Sequence, residues 1–184
     1  MTQRRAVALG SFDGLHRGHR AVLDLALSFK EHGFEPCALV FDEHPLKVVG
    51  AGSPPELMTR QARDEMLESL GITVQKISFA RIADMSARQF VNEILIDELN
   101  AGAVCCGYNY RFAKNAAADS HDLEELCKAH GVLCAVAQRT EYNGAPISST
   151  RIRNALSNGY VEDAMKMITK TEAPSWGYWV ETMG

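Results

Sequence analysis

Two histidines, three glycines and an aspartate fall within twelve residues, ALGSFDGLHRGH from Ala8 to His19, directly behind an apolar run. Gly10 and Gly14 lack a Cβ, so they permit tight turns and let a phosphate approach the backbone. His16 and His19 stand three apart and can share one face of a first helical turn, where their N–H groups can donate to phosphate oxygens. Two other readings of the histidine pair stay open from the residues alone. One is a capping turn with surface histidines; the other is zinc, although no third or fourth ligand lies near. The stretch has neither the Walker lysine nor GxGxxG spacing, so it is not one of the two common phosphate loops. A second polar group, SSTRIR (Ser148 to Arg153), reads by itself as a helix N-cap followed by a basic surface turn. The aromatic pair of GYNYRF (Gly107 to Phe112) reads by itself as loop packing.

These residues need elements to hold them, and the chain supplies short apolar runs alternating with helical periodicity. Ala6 to Leu9 is a candidate strand, followed by a helix with Val22, Leu25, Ala26 and Phe29 on one face, closing at Gly33. Cys37 to Phe41 is a second strand. Met66, Leu67 and Leu70 mark a helix ended by Gly71, and Ile72 to Phe79 reads as the next strand. Ser86 and Gln89 form a capping-box pattern ahead of Phe90, Val91, Ile94, Leu95 and Leu99. Ala103 to Cys106 is another strand, Ser120 can cap a helix through Leu123, Leu126 and Cys127, and Val132 to Ala137 is a fifth strand. Asn143-Gly144 predicts a hairpin turn, and a helix from the SSTRIR segment stops at Gly159. Such βαβ alternation predicts a Rossmann-like, doubly wound, mainly parallel sheet of about five strands with helices on both faces. In such a sheet, ligands gather beyond the carboxyl ends of the strands, where the Ala8 to His19 stretch would sit.

At 184 residues, with 46% apolar and 23% charged side chains, the chain has enough for one sizeable core. A net charge of −4 and no long Lys/Arg run leave no footprint for a nucleic-acid backbone. No stretch of about 18 uncharged apolar residues can span a bilayer, and the N-terminus carries no signal-peptide pattern, which points to the cytoplasm. Cys37, Cys105, Cys106, Cys127 and Cys134 lie in apolar segments without metal spacing and read as reduced core thiols. The oligomeric state is not legible.

GSFDGLHRGH resembles the GxFDGxHxGH motif of the bacterial FAD synthetase family, whose N-terminal module is an FMN adenylyltransferase of the nucleotidylyltransferase superfamily. Three more segments agree in order and spacing. FDEHPLKVV (Phe41 to Val49) is similar to F(D/E)PHPxxV, GYNYRFAKNAAADSHDL to GxDFRFGxxxxGDxxxL, and ISSTRIRNAL to ISSTxIRxxL. The resemblance implies transfer of AMP from ATP to FMN, giving FAD and pyrophosphate, with magnesium carried as Mg-ATP and no protein ligands assigned to it. It implies an ATP site of Gly10, Ser11, Phe12, Asp13, Gly14, His16, Gly18 and His19 together with Ser148, Ser149, Thr150 and Arg153. Asn109 falls at the reaction centre or its metal shell, and Asp13 and Asp42 are carboxylates that order the loop or reach magnesium through water. Pro45, Val49, Tyr110 and Phe112 correspond to positions framing the isoalloxazine ring. Residues 1–170 would form this domain and 171–184 a tail or linker, with no riboflavin kinase motifs.

The match departs at four places. Glu43 replaces a proline, Ala113 and Ala118 replace two glycines, Arg63 replaces a usual lysine, and MITKTEAPSW lacks the LGR that closes the last helix. If the loop needs positive φ at either alanine, it is strained there. Two alternatives accompany the main reading: another nucleotidylyltransferase, which would keep the two phosphate motifs, and a module that holds flavin or nucleotide without turnover.

Overall fold

The computed structural model describes residues 3–42 and 54–169. Five parallel strands form one sheet in the order β3-β2-β1-β4-β7. They are β1 (Arg5–Leu9), β2 (Glu35–Phe41), β3 (Thr73–Ile77), β4 (Ala101–Gly107) and β7 (Leu133–Ala137). Each parallel pair needs a helical crossover, and the chain provides them: α1 (Arg17–Ser28), α2 (Arg60–Ser69), a single-turn α3 (Phe79–Ile82), α4 (Ala87–Gln89, running on in wide π-type turns over Phe90–Glu98) and α5 (Ser120–Ala129). Beyond the sheet stand two small ribbons, β5 (Arg111–Phe112) with β6 (Ala118–Asp119) and β8 (Glu141–Tyr142) with β9 (Ala145–Pro146). Helices α6 (Ser149–Ser157) and α7 (Val161–Ile168) follow.

Alternation along the strands divides the core in two. Ala6, Ala8, Ala38 and Ala103 face one layer, where their small side chains admit α1 through Val22, Leu23 and Ala26. Val7, Leu9, Leu39 and Val104 face the other, against Val91, Ile94 and Leu95 of the π-type helix and Leu123 of α5. Helices thus cover both faces, as the alternation predicts. The chain reverses its strand order between β1 and β4, so the crevice beyond Leu9 and Gly107 is the topological switch point.

Four local expectations change. The third strand stops at Ile77 instead of Phe79, because Phe79 opens a helical turn and leaves the sheet. Asp119, not Ser120, caps α5: its carboxylate accepts from the His121 and Asp122 N–H groups, while the Asp122 carboxylate accepts from the Asp119 N–H. The capping box at Ser86 and Gln89 is present, but the helix it starts widens, Leu99 N–H donating back to Ile94 C=O. On α1, Leu23 is fully buried while Leu25 only packs against the core from its edge. Asn143 and Gly144, at φ 50° and 72°, make the expected primed hairpin turn.

Candidate active site

Past Leu9 the chain turns sharply into α1. Three of four residues there take positive φ: Phe12 at 54°, Gly14 at 81° and Leu15 at 38°. Gly14 has no alternative, since a Cβ would lie 2.7 Å from Leu57 Cδ1. Phe12 and Leu15 hold their strained conformations because both side chains are buried in the core, so packing over-determines the turn. The turn delivers His16 as the N-cap of α1, with Nδ1 accepting from the His19 N–H at 3.2 Å. That bond assigns the lone pair to Nδ1 and leaves the proton on Nε2. The His16 and His19 rings stack at 3.7 Å between centroids, 14° from parallel, and Phe12 meets His19 edge-on at 5.4 Å. A Cβ at residue 18 would lie 3.2 Å from the His16 ring, so Gly18 leaves room for the stack.

Both imidazoles are held neutral. Burial is the main cause at His16 and lowers it to about 4, opposed by a contact with its own backbone and reinforced by the positive charge of Arg153. Burial lowers His19 well below the usual range, with His16 as a second cause. His19 Nδ1 is enclosed and has no hydrogen-bond partner among the described residues, an unmet polar atom beside a cavity.

Asp13 joins three segments. Oδ1 accepts from the Leu57 and Met58 N–H groups at 2.9 and 3.3 Å, and Oδ2 pairs with the Arg153 guanidinium at 2.5 Å. The Asp13 carbonyl accepts from Ser149 Oγ at 2.9 Å, and Arg153 Nε donates to Pro55 C=O at 2.7 Å. The N-terminus of α6, capped by Ser148 through the Arg151 N–H, is thereby fixed beside that of α1. Two helix N-termini, each a source of partial positive charge, converge at the switch point.

Two cavities open there. One, of about 200 Å³, lies between His16, Gly18, His19, Gly107, Ser148 and Ser149. The other, of about 510 Å³, is walled by Phe41, Phe79, Phe90, Tyr110 and Phe112. Gly10, Asn109 and Tyr110 line both, so the two spaces share one wall. Tyr110 stacks on Phe112 at 5.7 Å, and Phe112 leans on Phe90 at 5.6 Å. Burial pushes the Tyr110 phenol up, so it stays uncharged.

The sequence expectations sort by place. His16, Gly18, His19, Ser148 and Ser149 line the smaller cavity, Ser11 and Phe112 the larger, and Gly10, Asn109 and Tyr110 both. Phe12, Asp13, Gly14, Thr150 and Arg153 line neither. Phe12 backs His19 from the core, Asp13 and Arg153 neutralise each other, and Thr150 is exposed on the first turn of α6. Arg63 is buried, bonded to Asp64 and to the Phe41 carbonyl. Pro45, Val49 and Glu43 lie outside the described residues. Asp42 is exposed, and its carbonyl accepts from Arg60. Of the two alanines that replace glycines, Ala113 does take positive φ, 66° with ψ 176°, whereas Ala118 lies in β6. Missing from the sequence reading are Phe41, Phe79 and Phe90, whose rings arrive from β2, α3 and the π-type helix. Each stands at an element end, a weak signal in one sequence.

A doubly wound parallel sheet with two helix N-termini meeting at its switch point defines an α/β protein of the open-sheet class, whose crevice lies beyond the carboxyl ends of the strands. The FAD synthetase family model matches residues 1–151, and the chain belongs to that family. It is 30% identical over 152 residues to a bifunctional riboflavin kinase/FMN adenylyltransferase of Pseudomonas fluorescens, over 81% of this chain and 49% of that one. It is 28% identical to an FAD synthetase of Listeria monocytogenes, over 88% of this chain and 67% of that one. The chain spans about half the length of the bifunctional relatives it matches. A crystal structure of a macrolide-efflux protein from Streptococcus pneumoniae shares the fold, with TM-score 0.77 and 24% identity over 91% of this chain and 56% of that one.

Proposed function

We propose that this chain is an FMN adenylyltransferase, joining ATP and FMN into FAD with release of pyrophosphate in the cytoplasm. The observation that carries the reading is the wall shared by the two cavities, with Asn109 on it. A small space beside His16, His19 and two helix N-termini suits a triphosphate. The aromatic cavity suits a flat ring, and its volume lies in the range of ordinary cofactor sites. With both occupied, an FMN phosphate oxygen would reach the α-phosphorus of ATP near Asn109. The new P–O bond forms as the bond to pyrophosphate breaks, and no covalent enzyme intermediate is needed.

Neutral imidazoles suit this role because each offers an N–H donor without adding a charge that would have to be buried. Magnesium fits as a passenger on the phosphates. No group of three or more His, Cys, Asp or Glu among the described residues could hold a metal, and both Asp13 oxygens are already engaged. Bound there, it would neutralise phosphate charge. A binding module without turnover is the second reading, favoured by the strained Ala113 on the flavin side.

The test is incubation with Mg-ATP and FMN, resolving FAD. His19→Ala should lose about 10²–10³ in turnover, the usual effect of removing one transition-state donor. Asn109→Ala should lower kcat with FMN still bound. FMN binding with no FAD from the native chain would favour the binding module, and no flavin binding at all would reopen the acceptor.

A further inference from the structure

The aromatic cavity has two walls of unequal firmness. Phe41 and Phe90 belong to β2 and the π-type helix, both packed on the sheet. Another part of the wall is the loop between β5 and β6, where Ala113, Asn115 and Ala116 take φ of 66°, 57° and 53°. Ala113, Asn115 and Ala116 all line the cavity. Three residues in four thus hold conformations that L side chains disfavour, and none is a glycine. What ties this loop to the turn that follows α3 is Lys114. Its N–H donates to the Met85 carbonyl at 2.9 Å, and its ammonium pairs with Asp84 at 2.8 Å, both side chains well exposed.

Resting on the reading of this cavity as the flavin site, we propose that residues 113–116 are a strap across its mouth. The Lys114–Asp84 pair latches the strap to the turn that follows α3 and sets how fast flavin enters and leaves. A rigid ring system bounded by five aromatic side chains must displace a wall to pass. The strap is the part whose displacement relieves backbone strain and breaks little: the Lys114 N–H bond to Met85, the exposed bond from Arg111 Nε to the Ala116 carbonyl, and one solvent-screened ion pair. Lys114 and Asp84 lie outside both cavities, so they act through the strap as positioning residues and not on the reacting atoms.

Rapid-mixing measurement of FMN release, followed by flavin fluorescence at low and high salt, tests this on the full chain. Native release should quicken with salt, because the latch is screened. Lys114→Met should release FMN about two- to five-fold faster at low salt and lose the salt dependence. The charge swap Asp84→Lys with Lys114→Asp should restore both, and KM for ATP should stay unchanged throughout. Release that is salt-independent and identical in Lys114→Met overturns the strap while leaving the flavin site intact. A native chain that takes up no FMN in equilibrium titration overturns the strap and the proposed function together.

Discussion

At the scale of single residues, the His16 and His19 pair combines a helix cap with the chemistry proposed for it. His16 holds α1 by its Nδ1, so its neutral form is part of the fold as well as of the site. Its folded pKa of about 4 lies below the ordinary value of 6.5. An unfolded chain therefore binds a proton at higher pH than the folded one does. The stability this contributes is present above pH 6.5 and is lost as pH falls from 6.5 to about 4, a swing on the order of 3 kcal/mol. Replacing His16 by Asn, which keeps a capping acceptor, should flatten urea midpoints across that window. An unchanged pH profile in His16→Asn would mean that other groups set it. Much of this was legible, because HxxH after a glycine turn already suggested two imidazoles on one helical turn. That His16 is the cap was not, since one of the open readings made both histidines surface residues. The Asp13–Arg153 pairing was equally hidden, for nothing local joins residues 140 apart.

At the scale of elements, the β5–β6 loop carries the sharpest expectation. The sequence flagged Ala113 as strained if its loop needs positive φ, and the loop does, with ψ near 180°, a region open almost only to glycine. Ala113→Gly should raise unfolding stability by about 1 kcal/mol. The relieved strain is about 1–3 kcal/mol, and glycine's entropy in the unfolded chain offsets part of it. A fall in the urea midpoint for Ala113→Gly would show that the alanine is accommodated at no cost. Strand cores were readable from β-branched and apolar runs, while ends were not. Phe79 looks like the last residue of a strand by composition, yet it turns away to wall a cavity, a choice made by its packing on Phe41 at 5.3 Å. The π-type widening after Gln89 left no trace in apolar spacing, because Phe90, Val91, Ile94 and Leu95 fit an ordinary helix equally well.

At the scale of the molecule, the alternation of strands and helices was enough to place both layers of helices and the crevice where strand order reverses. The pairing of the first turn with α6 had to come from tertiary structure. Asp13→Ala should unfold about 3 kcal/mol more easily, since it strands the Arg153 guanidinium, 15% exposed, beside two unpaired N–H groups. Combining it with Arg153→Ala should cost less than the two single losses added, as measured by a double-mutant cycle in urea. Strict additivity would mean that the two residues act separately.

The bonds from Ser149 and Arg153 to Asp13 also set an order of events during synthesis. A ribosome adding roughly 5–20 residues per second leaves the first turn without these partners for about 7–28 seconds after it is made. Within that interval β1 and β2 can pair first and β4 can join them once Gly107 has been made, while the histidine turn waits for a helix not yet translated. The growing chain would thus pair its central strands before the crevice at the switch point closes, while the edge strand β7, ending at Ala137, is made only shortly ahead of α6 at Ser149.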